Sequence, residues 1–426
     1  MSPPRVVFLL MLPFILASAV AATVPLNGTF TYVNDGPFGE YNMEYHATYR
    51  PVLLGTHPYQ FCFYNTTNNA YTFALRLGTI SADSIFLWVW EANRGRPVGD
   101  KATITFGTDG NLVLAEANGR VVWQTNTANK GVVAFDVLAN GNVVLLNAKR
   151  GIVWQSFDYP TDTLMVGQSL KTGTATKLVS RASRVVNADG AYSAVMEPTR
   201  FALYYTSPST PQPYLYFSSE SYFTANWPLR HVTLESSKDP DKASTYHLSL
   251  NYQQGQIRFA TRLYDLVYSF LRLGIDGNVR AFTFNDNVDE GAWNTTFVLF
   301  SKAATLESYC QLPGTCGSYG LCENSRCVAC PSGGSLLSWN ATCSPPKISC
   351  GSFGYFELKG VDHFLCKYTA GETMSQSACA AKCSRDCKCK GYFYHTDTSR
   401  CWTANVLMTM TKVANSAHLA FIKSSK

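Results

Sequence analysis

Long apolar runs are scarce in this chain of 426 residues, and the one that stands out lies at the N-terminus. The segment "VVFLLMLPFILASAV" follows a single charge, Arg5, and precedes small residues around Ala22, which predicts a cleaved secretory signal peptide over residues 1–22. That run is too short for a comfortable membrane span, and no later segment approaches the roughly 18 apolar residues a span requires. We therefore expect an exported chain without a membrane anchor.

Clustered positive charge is also missing. The net charge of +6 is spread along the chain, and no run of Lys or Arg indicates a nucleic-acid partner. We expect no nucleic-acid binding.

The usual catalytic motifs are absent as well. The sequence contains no G-x-S-x-G nucleophile elbow, no H-E-x-x-H and no phosphate-binding loop. The histidines are scattered, with none at i, i+4 spacing beside a Glu: His46, His57, His231, His247, His363, His395 and His418. Nothing singles out an Asp/Glu pair for acid–base chemistry. We therefore predict a protein that is not an enzyme, with no catalytic residues, no cofactor and no metal site.

Cysteine is nearly absent from the first 300 residues, where only Cys62 occurs, whereas thirteen of the fourteen lie between Cys310 and Cys401. In an exported chain this concentration predicts disulfides, and it favours disulfides over zinc for "CVAC" and "CKC". The predicted disulfide cysteines are Cys310, Cys316, Cys322, Cys327, Cys330, Cys343, Cys379, Cys383, Cys389 and Cys401. Cys62 and Cys366 have no obvious local partner, which leaves Cys350, Cys387 or each other as partners.

The cysteine spacing near the C-terminus also predicts local structure. Cys379 and Cys383 lie one helical turn apart, and "GYFYH" behind them reads as a strand. We expect a short helix that is stapled to a sheet.

The chain is rich instead in short strand-like segments. "KATITF", "NLVLAE" and "RVVWQT" are mostly β-branched or aromatic, and turn sequences such as "GTDG" and "EANG" separate them. Asn-Gly and Asp-Gly favour hairpins because both residues adopt positive φ at low cost. This spacing predicts an all-β sandwich, barrel or prism.

One segment of 20 residues is repeated in the sequence. "GTDGNLVLAEANGRVVWQTN" (107–126) returns as "LANGNVVLLNAKRGIVWQSF" (138–157), at a period of 31 residues. Trp90, Trp123 and Trp154 are 33 and 31 residues apart, which predicts three sheets that each send one indole inward. A third relative, "FLRLGIDGNVRAFTF" (270–284), predicts a second all-β domain.

Several segments resemble a known family. "VWEANRGRPV" and "IVWQSFDYPTDTLMVGQSL" resemble the bulb-type (mannose-binding) lectin domain of plant S-locus-type glycoproteins. "CQLPGTCGSYGLC" is similar to their EGF-like segment, and the region from Cys379 to Cys401 to their PAN/apple module. "EYHATYRPVLLG" resembles the epidermis-specific secreted glycoprotein branch in particular.

The resemblance implies an all-β fold: a bulb-type lectin β-prism, a second prism-like β domain, and disulfide-rich EGF-like and PAN/apple (small α+β) modules. The predicted divisions are a signal peptide at 1–22, the lectin domain at 23–168, the second prism-like domain at 169–305, the EGF-like segment at 306–346 and the PAN/apple domain at 347–426.

The resemblance also supplies a candidate sugar site, because the family's mannose pocket is the motif Q-x-D-x-N-x-V-x-Y. Its polar side chains bond sugar hydroxyls, and its Val packs under the ring carbons. Carried onto this chain, the first copy retains Asp109, Asn111 and Val113, and the second has Asn140, Asn142 and Val144. The downstream copy has Asp276 and Asn278, with Arg280 in the Val position.

Each copy lacks the Gln and the Tyr of that motif. Losing two polar contacts of about 0.5–1.5 kcal/mol each weakens a sugar site by roughly ten- to a hundred-fold. Three interpretations therefore stay open. In one, Asp109, Asn111 and Val113 form a surviving glycan site, with the second copy as a weaker one. In another, DGN and NGN are only hairpin turns. In the third, the same surface binds a different ligand.

The sequence thus supports two functional hypotheses. The first is a secreted cell-wall or apoplast glycoprotein that binds mannose-type glycans or wall glycoproteins without catalysis. The second is a protein-interaction or structural wall glycoprotein with inactive lectin pockets, whose contacts lie on the EGF-like and PAN surfaces. Four N-x-S/T sequons predict glycans on exposed loops: Asn27, Asn65, Asn294 and Asn340.

Overall fold

A computed structural model shows how these segments assemble. It describes residues 23–425, except 40–41, 56, 79–84, 174–175, 209, 211, 223, 243, 254, 264–267, 286–291 and 333. The signal peptide predicted at 1–22 therefore lies outside the described residues. The chain is almost entirely β, which confirms the predicted fold class.

Three sheets form a first prism. The first sheet has the strand order β1 (Phe30–Val33), β6 (Thr103–Phe106), β7 (Leu112–Ala115) and β8 (Val121–Gln124). The second has the order β2 (Thr48–Val52), β3 (Tyr59–Asn65), β4 (Tyr71–Leu77) and β5 (Leu87–Glu91). The third has the order β11 (Ile152–Gln155), β10 (Val143–Asn147) and β9 (Val132–Val137).

The three tryptophans of the repeat meet at the centre of this prism. The ring centroids of Trp90 and Trp123 are 5.9 Å apart, those of Trp90 and Trp154 are 6.1 Å apart, and those of Trp123 and Trp154 are 5.9 Å apart. All three pairs meet edge to face, at interplanar angles of 70–76°. This geometry is favourable for aromatic quadrupoles and adds to the free energy of burying each indole. The predicted convergence of the indoles is confirmed.

Three further sheets form a second prism. The first has the order β14 (Lys177–Arg181), β15 (Asp189–Met196), β16 (Phe201–Thr206) and β17 (Pro213–Ser218). The second has the order β13 (Ser169–Lys171), β18 (His231–Lys238), β19 (Tyr246–Tyr252) and β20 (Gly255–Arg262). The third has the order β12 (Thr163–Met165), β21 (Ser269–Leu273), β22 (Val279–Asn285) and β23 (Ala292–Val298).

The six sheets share one register rule. In each sheet, the two strands that come last in the sequence pair with each other, and their register shifts by one residue directly after one particular pair of residues. In the first prism these pairs are Leu75–Trp90, Leu114–Trp123 and Leu145–Trp154. In the second they are Leu203–Phe217, Leu248–Ala260 and Ala281–Phe297. The second prism therefore places Phe217, Ala260 and Phe297 where the first has its three indoles.

Buried charges connect the two prisms. Asp162 accepts a bond from Arg94 at 3.0 Å and lies 3.8 Å from the guanidinium of Arg272. Arg94 also contacts Glu91 at 2.5 Å, and Arg272 pairs with Glu44. Charges this deep are stable only when they are paired, so each residue of this set depends on the others.

The disulfide-rich C-terminal region adds two five-stranded sheets. One has the order β28 (Ser335–Ser338), β27 (Arg326–Ser332), β26 (Tyr319–Glu323), β34 (Met408–Lys412) and β30 (Val361–His363). The other has the order β29 (Gly354–Lys359), β35 (His418–Ser424), β32 (Gly391–His395), β33 (Arg400–Ala404) and β31 (Glu372–Thr373). A parallel pair, β24 (Phe300–Ser301) and β25 (Glu307–Ser308), precedes them.

Within the described residues, helices are few and short. The α-helices are α1 (Phe364–Tyr368) and α2 (Gln376–Arg385), and Ser375 caps the start of α2 by accepting a bond from the Ala378 amide. Short 3₁₀ turns lie at Leu26–Gly28, Glu44–His46, Ser156–Asp158, Ser219–Ser221 and Tyr309–Gln311. No helix in the described part of the chain is both long and apolar enough to cross a bilayer.

Six disulfides hold the C-terminal region together. The pairs are Cys310–Cys322, Cys316–Cys327, Cys330–Cys343, Cys350–Cys387, Cys379–Cys401 and Cys383–Cys389. The bond Cys379–Cys401 staples α2 to β33 of the sheet behind it, and Cys383–Cys389 joins α2 to the turn before β32. The sheet contains "GYFYH" as β32, as the cysteine spacing predicted.

The expectation that Cys62 and Cys366 bond to Cys350, Cys387 or each other is wrong. Cys350 and Cys387 bond to one another, and both Cys62 and Cys366 are free thiols. Cys62 is fully buried in β3, far along the chain from the cysteine-rich region. Burial raises the pKa of the Cys62 thiol to about 12, so this side chain acts as a small apolar core residue.

Two strand pairings cross the predicted domain boundaries. Strand β12 precedes residue 168 but pairs with β21, a strand of the second prism. Strand β26, from the segment that resembles EGF, pairs in parallel with β34, from the segment that resembles PAN. One sheet therefore contains strands from both sides of residue 168, and another contains strands from both sides of residue 346. The domain boundaries at these residues stay predictions.

Candidate functional site

The first DGN phrase forms a tight hairpin turn between β6 and β7. Gly110 adopts a φ of +79°, in the left-handed region that glycine reaches without strain. The Oδ1 atom of Asp109 accepts a bond from the Asn111 amide at 3.0 Å. Asp109 therefore bonds back to its own turn, an arrangement that fixes the path of the hairpin.

Asn111 holds the turn to the following strand. Its Nδ2 donates to Oε1 of Gln124 at 2.8 Å, and its Oδ1 accepts bonds from the Thr127 amide and the Thr125 hydroxyl, each at 3.0 Å. The residue is only 6% exposed. The structure thus makes Asn111 a clamp between two chain segments.

The other two copies repeat this clamp. Asn142 donates to Gln155 at 2.8 Å and accepts from the Phe157 amide at 3.3 Å. Asn278 donates to the Phe300 carbonyl at 2.9 Å and accepts from the Phe300 amide at 3.0 Å. The shared Asn of the phrase therefore has a structural role in all three copies.

The first copy nevertheless faces solvent with a row of suitable side chains. Thr31 pairs with Thr105, Thr105 with Val113, and Val113 with Gln124, so these four residues of β1, β6, β7 and β8 share the outer face of one sheet. We name them the outer row. Thr31 and Gln124 are exposed, Thr105 and Val113 are half-buried, and the exposed Asp109 lies in the turn before β7.

Gly107 explains why Asp109 folds back. A Cβ atom at Gly107 would lie 2.9 Å from Oδ1 of Asp109, closer than real Cβ atoms approach an oxygen. The family motif has a Gln at this position, whose side chain would therefore compete with the present Asp109 rotamer. The glycine removes one sugar contact and, at the same time, permits the bond between Asp109 and its own turn.

The second copy is closed. Val144 is fully buried, so no sugar ring can pack on it as the motif predicted. The chain that follows β12 lies against this turn: a Cβ atom at Gly167 would be 3.0 Å from the side-chain Nδ2 of Asn140. Gly141 is enclosed in the same way by Met165 and Tyr59. The predicted contact to Val144 is therefore corrected.

In the third copy, Arg280 neutralises the carboxylate of Asp276. Arg280 forms an ion pair with Asp276 at 2.5 Å. Burial alone would raise the pKa of Asp276, but the bonds from Arg280 outweigh it and hold that pKa below its usual value. Its carboxylate already has a cationic partner and is a poor acceptor for a sugar hydroxyl.

The sequence analysis did not identify the residues that bond to the Asn of the repeat from the chain segment that follows each hairpin. Gln124, Thr127 and Gln155 complete the clamps, yet none belongs to the family motif. A signal was present: the 31-residue repeat keeps "WQT" at 123–125 and "WQS" at 154–156. A repeat that keeps a Gln directly after the inward-facing Trp indicates a polar partner for the preceding hairpin.

The sequons differ in access. Asn27 is exposed in a 3₁₀ turn, and Asn340 is exposed in a loop, where its Oδ1 accepts from the Thr342 amide at 2.9 Å. Asn65 is the last residue of β3 and only 8% exposed, and its side chain accepts from Thr48. Asn294 lies within β23 and is half-buried. The expected exposed loop is wrong for Asn65 and Asn294, and occupancy at all four stays a prediction.

Comparison with known proteins places this geometry in context. Residues 87–184 match the family model described as D-mannose binding lectin. EP1-like glycoprotein 4 of Arabidopsis thaliana is 47% identical over 412 residues, which cover 95% of this chain and 93% of that protein. Epidermis-specific secreted glycoprotein EP1 of Daucus carota is 53% identical over 361 residues, which cover 79% of this chain and 92% of that protein.

A solved structure aligns far more weakly. The native fetuin-binding protein Scilla campanulata agglutinin, described as a two-domain lectin, is 12% identical with a TM-score of 0.18, over 60% of this chain and 97% of that chain. A score that low supports no structural argument.

Proposed function

Because this chain belongs to the EP1-like glycoproteins and carries a domain of the D-mannose binding lectin family, we propose that it is a secreted glycoprotein that binds glycans without catalysis. The name of the carrot relative, an epidermis-specific secreted glycoprotein, supports an extracellular location. We place the protein in the cell wall or apoplast, with mannose-type glycans or wall glycoproteins as its partners.

One observation carries the proposal: of the three DxN or NxN copies, only the first combines an exposed carboxylate with an open sheet face. Asp109 is exposed, whereas Val144 of the second copy is fully buried and Asp276 of the third is paired with Arg280. Asp109 and the outer row together form the proposed glycan surface.

The chemistry of this surface suits a sugar. A carboxylate accepts bonds from adjacent hydroxyls, and the amide of Gln124 both donates and accepts. Val113 and the methyl groups of Thr31 and Thr105 offer apolar contact to ring carbons. In this proposal Gln124, from the neighbouring strand, takes over part of the role that the family assigns to the Gln absent at 107.

Binding to one sugar is expected to be weak. Gly107 and Ala115 stand where the family has Gln and Tyr, and the loss of two bonds corresponds to about ten- to a hundred-fold in affinity. Retention by the single open site then requires a high concentration of sugar on the matrix, because a weak site is occupied only when the ligand concentration approaches its Kd.

The test uses the purified chain on matrices that carry dense mannose or high-mannose glycans. Asp109→Ala should reduce retention by about tenfold or more, since a bond to a charged group contributes about 1.5–3 kcal/mol. Asn140→Ala, in the closed second copy, is the matched control and should retain wild-type binding. Asn111→Ala and Gln124→Ala are unsuitable because each removes the bond between these two side chains as well as a contact to the sugar.

A second candidate function has its own support. The side chains of Asn111 and Asn142 bond within the protein, which favours a scaffold whose lectin pockets are inactive. In that case the protein acts through protein contacts on its disulfide-rich C-terminal region, as an interaction or structural component of the wall. Two outcomes would favour this function. Either the wild-type protein flows through every glycan matrix, or the Asp109→Ala variant is retained as strongly as the wild type.

A further inference from the structure

Three residues that are far apart in sequence meet in the C-terminal region. Asp362 lies on β30, His395 ends β32 and His418 begins β35. The Oδ1 of Asp362 is 2.9 Å from Nε2 of His395, and its Oδ2 is 2.8 Å from Nδ1 of His418. One carboxylate thus contacts two imidazole nitrogens.

Strand pairing explains the encounter. His395 and His418 are direct partners in the antiparallel ladder of β32 and β35, so both rings lie on the same face of that sheet. Their ring centroids are 3.5 Å apart at an interplanar angle of 9°. The ring of Trp402 also contacts His395, with centroids 4.5 Å apart. Both imidazoles are thus held in place by their neighbours.

We propose that Asp362, His395 and His418 form a binding site for a divalent transition-metal ion of the Zn²⁺ or Cu²⁺ class. Each offers one ligand atom, and these atoms all lie within 4.8 Å of one another. Neutral imidazole nitrogen and carboxylate oxygen are the ligands such ions prefer, at about 2.0–2.2 Å for zinc. Three protein ligands leave a position for water, which fits side chains that are 11–19% exposed.

A second carboxylate lies near the cluster, beyond hydrogen-bond distance. Oδ2 of Asp397 lies 4.0 Å from Nε2 of His418, the ring nitrogen that faces away from Asp362. Asn415 holds Asp397 through a bond of 3.1 Å. Metal-ligating histidines usually donate their second N–H to such an outer carboxylate, which orients the ring.

The bound ion would connect two sheets. Asp362 belongs to the sheet that contains β26 and β34, whereas both histidines belong to the sheet around β32 and β35. Because the two rings are nearly parallel, one of them must rotate so that both lone pairs point at the ion. Any ligand that binds only the folded state raises its stability, so the ion would stabilise the contact between the sheets.

The test uses the full secreted chain without a histidine tag, stripped with a chelator and titrated calorimetrically with Zn²⁺ and then with Cu²⁺. We expect one ion per chain at this site, with Cu²⁺ bound more tightly than Zn²⁺. His395→Ala, His418→Ala and Asp362→Asn should each weaken binding at least tenfold. His247→Ala is the matched control. His247 also contacts a carboxylate, that of Asp239 at 2.9 Å, but it does not belong to the cluster of Asp362, His395 and His418.

Two results would overturn the site: no measurable Zn²⁺ or Cu²⁺ binding by the wild type, or binding that is unchanged in all three variants. Near-UV circular dichroism checks that each variant is folded. If a variant does not fold, electron paramagnetic resonance of the wild type with one equivalent of Cu²⁺ decides. Nitrogen couplings from two imidazoles support the site, and couplings from one or none contradict it.

Discussion

Each prism has three sheets with the same register shift, but the two centres are very different. In the first, Trp90, Trp123 and Trp154 contact one another edge to face. In the second, the equivalent ladder positions hold Phe217, Ala260 and Phe297, and a cavity of about 30 Å³ borders both phenylalanines. The shared register shift thus defines the fold, whereas the residue at the centre sets how well it is filled.

The difference shows which part of the repeat is essential to the architecture. A sheet can keep its place in a prism with Ala260 in the position of an indole, because the register fixes where the neighbouring strands lie. Packing at the centre then determines stability, since interiors are close to crystal density and lost volume costs free energy. Three predictions test this comparison.

The largest effect is expected from Trp154→Ala. Trp154 is 6% exposed, contacts both other indoles and stacks on Tyr159 at 5.6 Å. Its truncation should lower the free energy of unfolding by about 3–5 kcal/mol. Denaturant unfolding followed by fluorescence measures this. Trp227→Ala, at a position 67% exposed, is the control and should change stability by no more than about 0.5 kcal/mol.

An effect of about 3 kcal/mol is expected for Asp162→Asn, between the prisms, because it removes the carboxylate that Arg94 and Arg272 share and leaves two buried guanidinium groups with fewer counter-charges. Burial alone would raise the pKa of Asp162, but Arg94 and Arg272 hold it below the usual value. A lowered folded-state pKa stabilises the protein above the unfolded-state pKa of about 3.9, and that stability is lost as pH falls through the folded-state value.

The difference between wild type and Asp162→Asn should therefore be largest at neutral pH and shrink below about pH 4. Urea unfolding at a series of pH values measures it. The Trp154→Ala difference should vary little over the same range, because no ionisable group is removed. A constant Asp162→Asn difference down to pH 2 would contradict the assigned charge state.

The smallest effect is expected at the centre of the second prism. Phe217→Leu replaces a 4% exposed ring with a smaller apolar side chain, beside a cavity that already exists. We expect a loss below about 1.5 kcal/mol in thermal unfolding. A loss as large as that of Trp154→Ala would show that the second prism depends on its centre as strongly as the first.

The sequence predicts most of the fold because short β-branched segments and Asn-Gly turns are local signals. The indoles were predictable too, since a repeat of 31 residues fixes equivalent positions. The pairing of β12 with β21 was not: three residues carry little pattern, and their partner lies more than a hundred positions away. Such contacts depend on the assembled sheets.

The candidate site was predictable only in part. The motif identified Asp109 and Val113, but only coordinates show that Asn111 bonds inside its turn and that Val144 is buried. Gln124 becomes relevant through its cross-strand pairing with Val113. Likewise no spacing indicated that Asp362, His395 and His418 meet, because antiparallel pairing brings distant residues together.

The parallel pairing of β26 with β34 has a consequence for how this chain can be divided. Thr409 and Thr411 of β34 bond the backbone of Cys316 and Cys310, so the last strands complete the structure of a segment almost a hundred residues earlier. We therefore expect residues 306–426 to express and unfold as one unit. A chain cut between residues 346 and 347 would leave each half with an open sheet edge, which can pair with a strand of another chain.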